Sequence, residues 1–169
     1  AAHLLIGVVA SLLFFGSVLF HEMAHSLMAI RGGKPVRSIT LFIFGGVSEI
    51  SKEADRPGEE IRIALVGPVS SYFLAAVFGG VWLLSRGRAS VIGEMSRWLA
   101  AINLILGTFN LLPGIPLDGG RVLRGIVWSV TGDKDRATRV AVVAGRSIGY
   151  LMILAGVFMV TSLTLSIVR

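Results

Sequence analysis

The sequence predicts an α-helical polytopic membrane protein, with about four transmembrane helices and one small membrane-associated β-region. Three observations lead there. Of 169 residues, 54% are hydrophobic and only 15% charged, a balance outside that of ordinary soluble domains. Four apolar runs, at Leu4 to Ile30, Ile61 to Ser85, Trp98 to Leu112 and Val140 to Ile167, approach or exceed the roughly 20 residues that cross a hydrocarbon core. Between the first two, Val36 to Ile50 is rich in β-branched and aromatic residues and is interrupted by Gly45-Gly46, the pattern of two short strands joined at glycines.

Taken in order, residues 1–31 form the first helix: they contain no proline and end at Arg31-Gly32-Gly33, a basic residue followed by glycines, which is a C-terminal stop. The β-region covers 36–50, and a charged loop from Ser51 to Glu60 carries Pro57-Gly58. The second span, 61–85, holds Gly67-Pro68 in its first third, so a kink or a close helix contact is expected there. Gly67, Ser70 and Ser71 point equally to helix packing. The third span, 97–118, is short and broken at Pro113 and Pro116, where Asn110-Leu-Leu-Pro-Gly-Ile-Pro-Leu-Asp-Gly-Gly120 forbids a continuous helix. Arg121 to Val130 restarts as a short helix, Thr131 to Asp135 turns, and 138–167 is the fourth span. The chain opens on Ala before one apolar run and stops at Arg169 soon after another; residues 1–169 are expected to be one membrane core truncated at both ends.

The formal charge of +6 invites a nucleic-acid reading, but the sixteen basic residues sort by membrane face. With four alternating crossings, Arg31, Lys34, Arg37, Lys52, Arg56, Arg62, Arg121, Arg124, Lys134, Arg136 and Arg139 share one side. Arg86, Arg88, Arg97 and Arg169 take the other, and Arg146 lies inside the last run. That asymmetry predicts a cytoplasmic face for the first set. No aromatic interleaving accompanies the basic residues, so no nucleic-acid partner is expected; the partner is the lipid bilayer. The chain has no cysteine, which excludes disulfides, thiolate metal sites and thiol nucleophiles.

Within the first span, His21, Glu22 and His25 match H-E-x-x-H. Residues four apart on a helix lie one turn apart on nearly the same face, so both imidazoles can reach one cation with the glutamate beside it. With 3 histidines and 6 glutamates in the chain, chance would give the pattern about 0.002 times, and burying such groups in an apolar helix marks function. Two histidines and a glutamate satisfying one another is the plainer alternative. A catalytic zinc needs a third protein ligand and an open position. His3 stands eighteen residues upstream, about 27 Å along the axis, and cannot supply it. The carboxylates near the membrane are Glu49, Glu94 and Asp118. Asp118 is preferred, because it sits where the third span unwinds, at the end toward which His21 and His25 lie, and irregular backbone at membrane depth borders polar cavities. Capping the next helix is the other role open to it.

These residues together resemble the site-2 protease family of intramembrane zinc metalloproteases. The resemblance rests on His21-Glu-Met-Ala-His25, Phe44-Gly-Gly-Val47, Gly67-Pro68 and the Asn110 to Gly120 segment, and extends over about residues 1 to 165. It implies one zinc ion on His21, His25 and Asp118, Glu22 as catalytic base, and Asn110 assisting the substrate carbonyl or oxyanion. It further implies single-span membrane substrates, such as membrane-tethered transcription factors or anti-sigma factors, cleaved within or near their transmembrane segments. Family members usually add a span before the HExxH helix and another after the last run here. The compact spacing resembles the branch that often carries cytoplasmic CBS modules.

On this reading zinc acidifies a water toward pKa about 7, Glu22 takes its proton and delivers it to the leaving amine, and Asn110 adds an oxyanion contact. A helical substrate must unwind first, and the edge from Ile39 to Val47 can pair with it or simply cover the site. His21 lies nine residues before Ile30, about 13 Å from the helix end, so water reaches it from the cytoplasmic side. An ion or proton pathway through the same groups and a metal-dependent scaffold remain the rival readings; Glu22→Gln separates them.

Overall fold

The structure is a computed structural model that describes residues 2–42, 45–50, 53–85 and 91–167. Phe44 of the second motif and the basic residues Lys52, Arg86, Arg88 and Arg169 lie outside the described residues. Helix α1 (Ala2–Arg31) runs unbroken, as a proline-free apolar stretch should. It ends where Gly33 takes φ 75°, a left-handed conformation that costs glycine little, and the Lys34 N–H returns to the Ala29 carbonyl at 3.0 Å. The Lys34 side chain is buried and its Nζ donates to Asp55 Oδ2 at 2.8 Å, tying the chain before the next helix to the foot of α1. Strands β1 (Val36–Phe42) and β2 (Gly45–Ile50) pair antiparallel with Thr40 opposite Val47 and Phe42 opposite Gly45; a register shift falls between Val36 and Ser38.

Helix α2 (Pro57–Leu84) begins with proline at its first position and Glu59 and Glu60 in its first turn, both favourable where helix N–H groups lack partners. It is the central helix, packing against α1, against α3 (Val91–Asn110) and against α4 (Asp118–Thr131). Pro68 is accommodated inside α2 without ending it. Opposite lies Gly107 of α3, where an added Cβ would stand 3.2 Å from both the Pro68 carbonyl oxygen and Tyr72 Cε1, so a glycine permits the close approach expected at this proline. Asn103, fully buried on α3, donates from Nδ2 to Ser17 Oγ of α1 at 3.1 Å. Ile63, Ala64 and Leu99 fill the small core among these helices.

Several helix boundaries need correction: α2 begins at Pro57, inside the expected loop, rather than at 61, and the last helix begins at Lys134, inside the expected turn, rather than at 138. Helix α3 starts at Val91 and stops at Asn110, not at 97 and 118, and the next helix begins at Asp118, three residues before the expected restart at Arg121. Residues 111–117 between them are folded back on α5 (Lys134–Ile167): the Ile115 N–H donates to the Ala141 carbonyl at 3.2 Å, and Gly114 meets Gly145 backbone to backbone. Gly119 and Gly120 are equally confined, since a Cβ on either would overlap the backbone of residues 111–115. Glycine in the first turn of α4 is thus what lets the broken segment lie against it. Gly132 then closes α4 at φ 70°, its N–H on the Trp128 carbonyl at 2.8 Å.

Among the described residues three helices are long and apolar enough to cross a membrane: Leu4–Arg31, Pro57–Leu84 and Lys134–Thr164. The fourth expected span, α3, is not among them; its 20 residues include Glu94 and Arg97, and each charge reduces the apolar length available to lipid. On the three that qualify, large apolar side chains such as Leu12, Phe73, Leu154 and Phe158 are exposed. Water would penalise that surface heavily, whereas hydrocarbon leaves it satisfied. Backbone groups of a span are best bonded within the helix; α1 and the last helix contain no proline, while Pro68 removes one such bond from α2.

Candidate metal centre

Ser17, His21 and His25 follow one another at four-residue intervals along the buried face of α1. His21 and His25 are 3% and 4% exposed, and their rings meet edge to face with centroids 4.8 Å apart. From α4, Asp118 enters as the first helical residue; Leu117 is the residue at the capping position, so the Asp118 carboxylate is not spent on capping its own helix. Its Oδ2 lies 3.1 Å from His21 Nε2 and 3.1 Å from His25 Nε2, and the two Nε2 atoms are themselves 3.1 Å apart. Three ligand-type atoms from two helices form a nearly equilateral triangle.

The outer nitrogens explain which inner atoms carry lone pairs. His25 Nδ1 is 2.6 Å from the Ile63 carbonyl oxygen, and a carbonyl only accepts, so Nδ1 donates and the neutral ring keeps a lone pair on Nε2. His21 Nδ1 lies 2.9 Å from Ser71 Oγ; with Nδ1 donating there too, the second Nε2 is likewise an acceptor. Two imidazole lone pairs and a carboxylate oxygen then face one another with no hydrogen between them, a repulsive arrangement that a cation relieves. Tetrahedral zinc with bonds of about 2.0–2.1 Å places its ligands about 3.3 Å apart, within a few tenths of the spacing seen. The donor set of two nitrogens and one oxygen, without sulfur, suits the same ion, and Nδ1–H held by a carbonyl or hydroxyl is how ligand imidazoles are usually oriented.

Space for the cation is kept by Gly67 of α2. A Cβ there would stand 2.6 Å from His21 Nε2 and 2.5 Å from His25 Cε1, and closer still to His25 Nε2. One helix therefore supplies the Ile63 carbonyl, the Gly67 gap and the Ser71 hydroxyl, at four-residue steps down one face. The sequence singled out Ser71 only for packing and Gly67 for packing and as part of the Gly67-Pro68 motif, and it missed Ile63; the signal available was a hydroxyl one turn beyond a glycine in an apolar span.

Glu22 follows His21 directly and is 9% exposed. Asn110 is not drawn into the triangle: it ends α3, and its Nδ2 donates back to the Leu106 carbonyl at 3.0 Å. Glu94, one of the rejected carboxylates, is exposed and pairs with Arg97 at 3.0 Å. A third buried carboxylate, Glu60, is fully enclosed; its Oε1 accepts from Arg124 Nε at 2.7 Å and also from the Nη2 atom. That pair fastens α4 to α2, two turns from Asp118, and was not foreseen. Away from the spans, Lys134 holds the Glu53 carboxyl below its usual range through a hydrogen bond and charge attraction, and Asp55 beside Lys34 raises the ammonium above its ordinary value.

The profile of peptidase family M50 matches residues 9–94 and 85–156. A putative zinc metalloprotease, Rip3, of Mycobacterium tuberculosis is 42% identical over 154 residues, 90% of this chain and 39% of the relative. A putative zinc metalloprotease of Synechocystis is 41% identical, covering 90% of this chain and 40% of the relative. The chain thus spans about two fifths of the length of these curated relatives. Among solved structures, the site-2 protease of Methanocaldococcus jannaschii superposes with a TM-score of 0.71 at 31% identity, over 90% of this chain and 68% of that one. With most of its length under the family profile and a buried His-His-Asp cluster suited to zinc, the chain belongs to peptidase family M50, the site-2 protease family of membrane zinc metalloproteases.

Proposed function

We propose that this chain is the catalytic core of an intramembrane zinc metalloprotease, hydrolysing peptide bonds within or near transmembrane segments of membrane-bound proteins. The observation that carries the reading is the triangle of His21 Nε2, His25 Nε2 and Asp118 Oδ2, each 3.1 Å from the others, inside a membrane-spanning bundle. Those three residues are assigned as the ligands of one Zn2+. When bound, zinc supplies Lewis-acid chemistry, polarising the scissile carbonyl and acidifying a water toward neutral pKa.

Glu22 is the general base: it accepts the proton of the attacking water and hands it to the leaving amine. Ser71 and the Ile63 carbonyl hold the imidazoles in the tautomers that turn Nε2 inward. Asn110 donates one Nδ2 hydrogen to the Leu106 carbonyl and offers the other to the substrate carbonyl or oxyanion. The substrate is a single-span protein, of the kind that tethers a transcription factor or an anti-sigma factor to the membrane. Its unwound segment pairs with an edge of the β1–β2 hairpin by strand addition. We place α3 as a fourth crossing and the site toward the cytoplasm, on the basis of the basic residues clustered at that face.

The experiment is Glu22→Gln in the purified chain, with zinc analysis and cleavage of candidate membrane substrates measured side by side. Cleavage should disappear while zinc stays at one ion per chain. Undiminished cleavage, or wild-type protein that holds no zinc, refutes the assignment.

A further inference from the structure

Two neighbouring cavities along the outer side of α1 make a trough of two parts. The first, about 260 Å³, is apolar, bounded by Phe20, Met23, Leu27 and Met28 of α1 and Val66 of α2. The second, about 230 Å³, is the more polar of the two and lies against Gly32, Glu59, Arg62 and Ile63. Met28 and Arg31 line both, so the apolar part and the charged part are neighbours along α1. Arg31 closes one membrane-spanning stretch, Leu4–Arg31, and Arg62 stands in the second turn of the next, Pro57–Leu84. Both guanidiniums therefore sit at one boundary of the hydrocarbon layer, with the apolar trough running inward from them.

The charges in the polar half do not cancel. Glu59 is already engaged, its Oε2 accepting from the Asp55 N–H at 3.0 Å and lying 3.5 Å from Lys34 Nζ. Arg31 and Arg62 make no hydrogen bond or ion pair among the described residues. Two unpartnered guanidiniums beside one cavity favour a phosphate, whose oxygens they can bind in a forked geometry, and basic pockets between membrane helices are where acidic head groups are held. We propose that this trough binds one anionic phospholipid, with its phosphate between Arg31 and Arg62 and an acyl chain along Met23, Leu27 and Val66. A zwitterionic lipid fills the apolar half equally well, but its ammonium is repelled by the two arginines and offsets the charge of its phosphate, so the site favours an anionic head group.

The test is native mass spectrometry of the purified chain in detergent, titrated with phosphatidylglycerol and with phosphatidylcholine of identical acyl chains. One phosphatidylglycerol should bind well ahead of phosphatidylcholine. The double variant Arg31→Gln/Arg62→Gln should weaken phosphatidylglycerol roughly thirtyfold, about five- to sixfold per basic side chain near the surface, and weaken phosphatidylcholine by much less. Leu27→Trp, which blocks the apolar half and keeps both arginines, should weaken both lipids. Equal affinity for the two lipids in the wild-type chain overturns the proposal without recourse to any variant. So does complete displacement of phosphatidylglycerol by inorganic phosphate, which identifies a free-anion site, or by a single-span peptide, which identifies a helix as the occupant.

Discussion

Gly67→Ala adds one methyl group where the structure leaves no room for it. The new Cβ would lie 2.6 Å from His21 Nε2 and 2.5 Å from His25 Cε1, roughly 1 Å inside the ordinary contact distance of about 3.5 Å. Neither ring can yield that much, because each is held from behind: His25 by the Ile63 carbonyl at 2.6 Å and His21 by Ser71 at 2.9 Å. Relief by moving α2 is opposed by the contact of Pro68 and Tyr72 with Gly107. Overpacking of this kind costs about 1–3 kcal/mol in fold stability, which a membrane bundle can survive. Zinc geometry is less tolerant, holding to about 0.2 Å, so a ring displaced by several tenths of an ångström ceases to be a competent ligand. The expected outcome is a folded protein by circular dichroism with zinc affinity down at least about 100-fold, beyond the range for losing an outer hydrogen bond to a ligand. Zinc content is read by competition with a chromophoric chelator, and peptide hydrolysis is read beside it. An alanine variant that keeps full zinc and activity within twofold would show that the ion does not occupy the space beside Gly67, and the metal centre as described would be wrong.

Ser71→Ala removes the partner of His21 Nδ1 without adding bulk; zinc affinity should fall about 10- to 100-fold, and Ser71→Thr, which restores the hydroxyl, should recover part of it. Arg124→Ala leaves the fully enclosed Glu60 carboxylate without its guanidinium, so thermal or denaturant unfolding should show a loss of about 3–5 kcal/mol, more than Glu60→Gln, which removes the buried charge as well. Chelator treatment should lower the unfolding temperature of the wild-type chain but not of a His21→Ala/His25→Ala variant, since a ligand that binds only the native state stabilises it. For Glu53, whose carboxyl is held below its usual range by Lys134, the contribution is present above the unfolded carboxylate pKa and disappears as pH falls through the folded one. Unfolding curves of wild type and Glu53→Gln should therefore differ at neutral pH and converge in acid; a difference that persists at pH 2 contradicts the ion pair.

The residue types and their order were enough to place His21, Glu22 and His25 together, because a helix converts a spacing of four into a shared face, and a proline-free apolar run leaves the chain no other conformation in lipid. Asp118 could be nominated from the same text, since two prolines and a pair of glycines announce an unwound segment at membrane depth. What no local rule supplies is distance between segments far apart in the chain. The 3.1 Å approach of Asp118 to both imidazoles depends on Gly114, Gly119 and Gly120 letting residues 111–117 pack against α4 and α5, and on Arg124 being fastened to Glu60. Gly67 and Ser71 were legible as packing residues of one helix, but that they and the Ile63 carbonyl should back the two histidines was decided only when α2 packed between α1 and α3. The third helix illustrates the same limit from the other side: composition measures how apolar a segment is, while its ends, at Val91 and Asn110, are set by where neighbouring helices and a folded-back loop meet it.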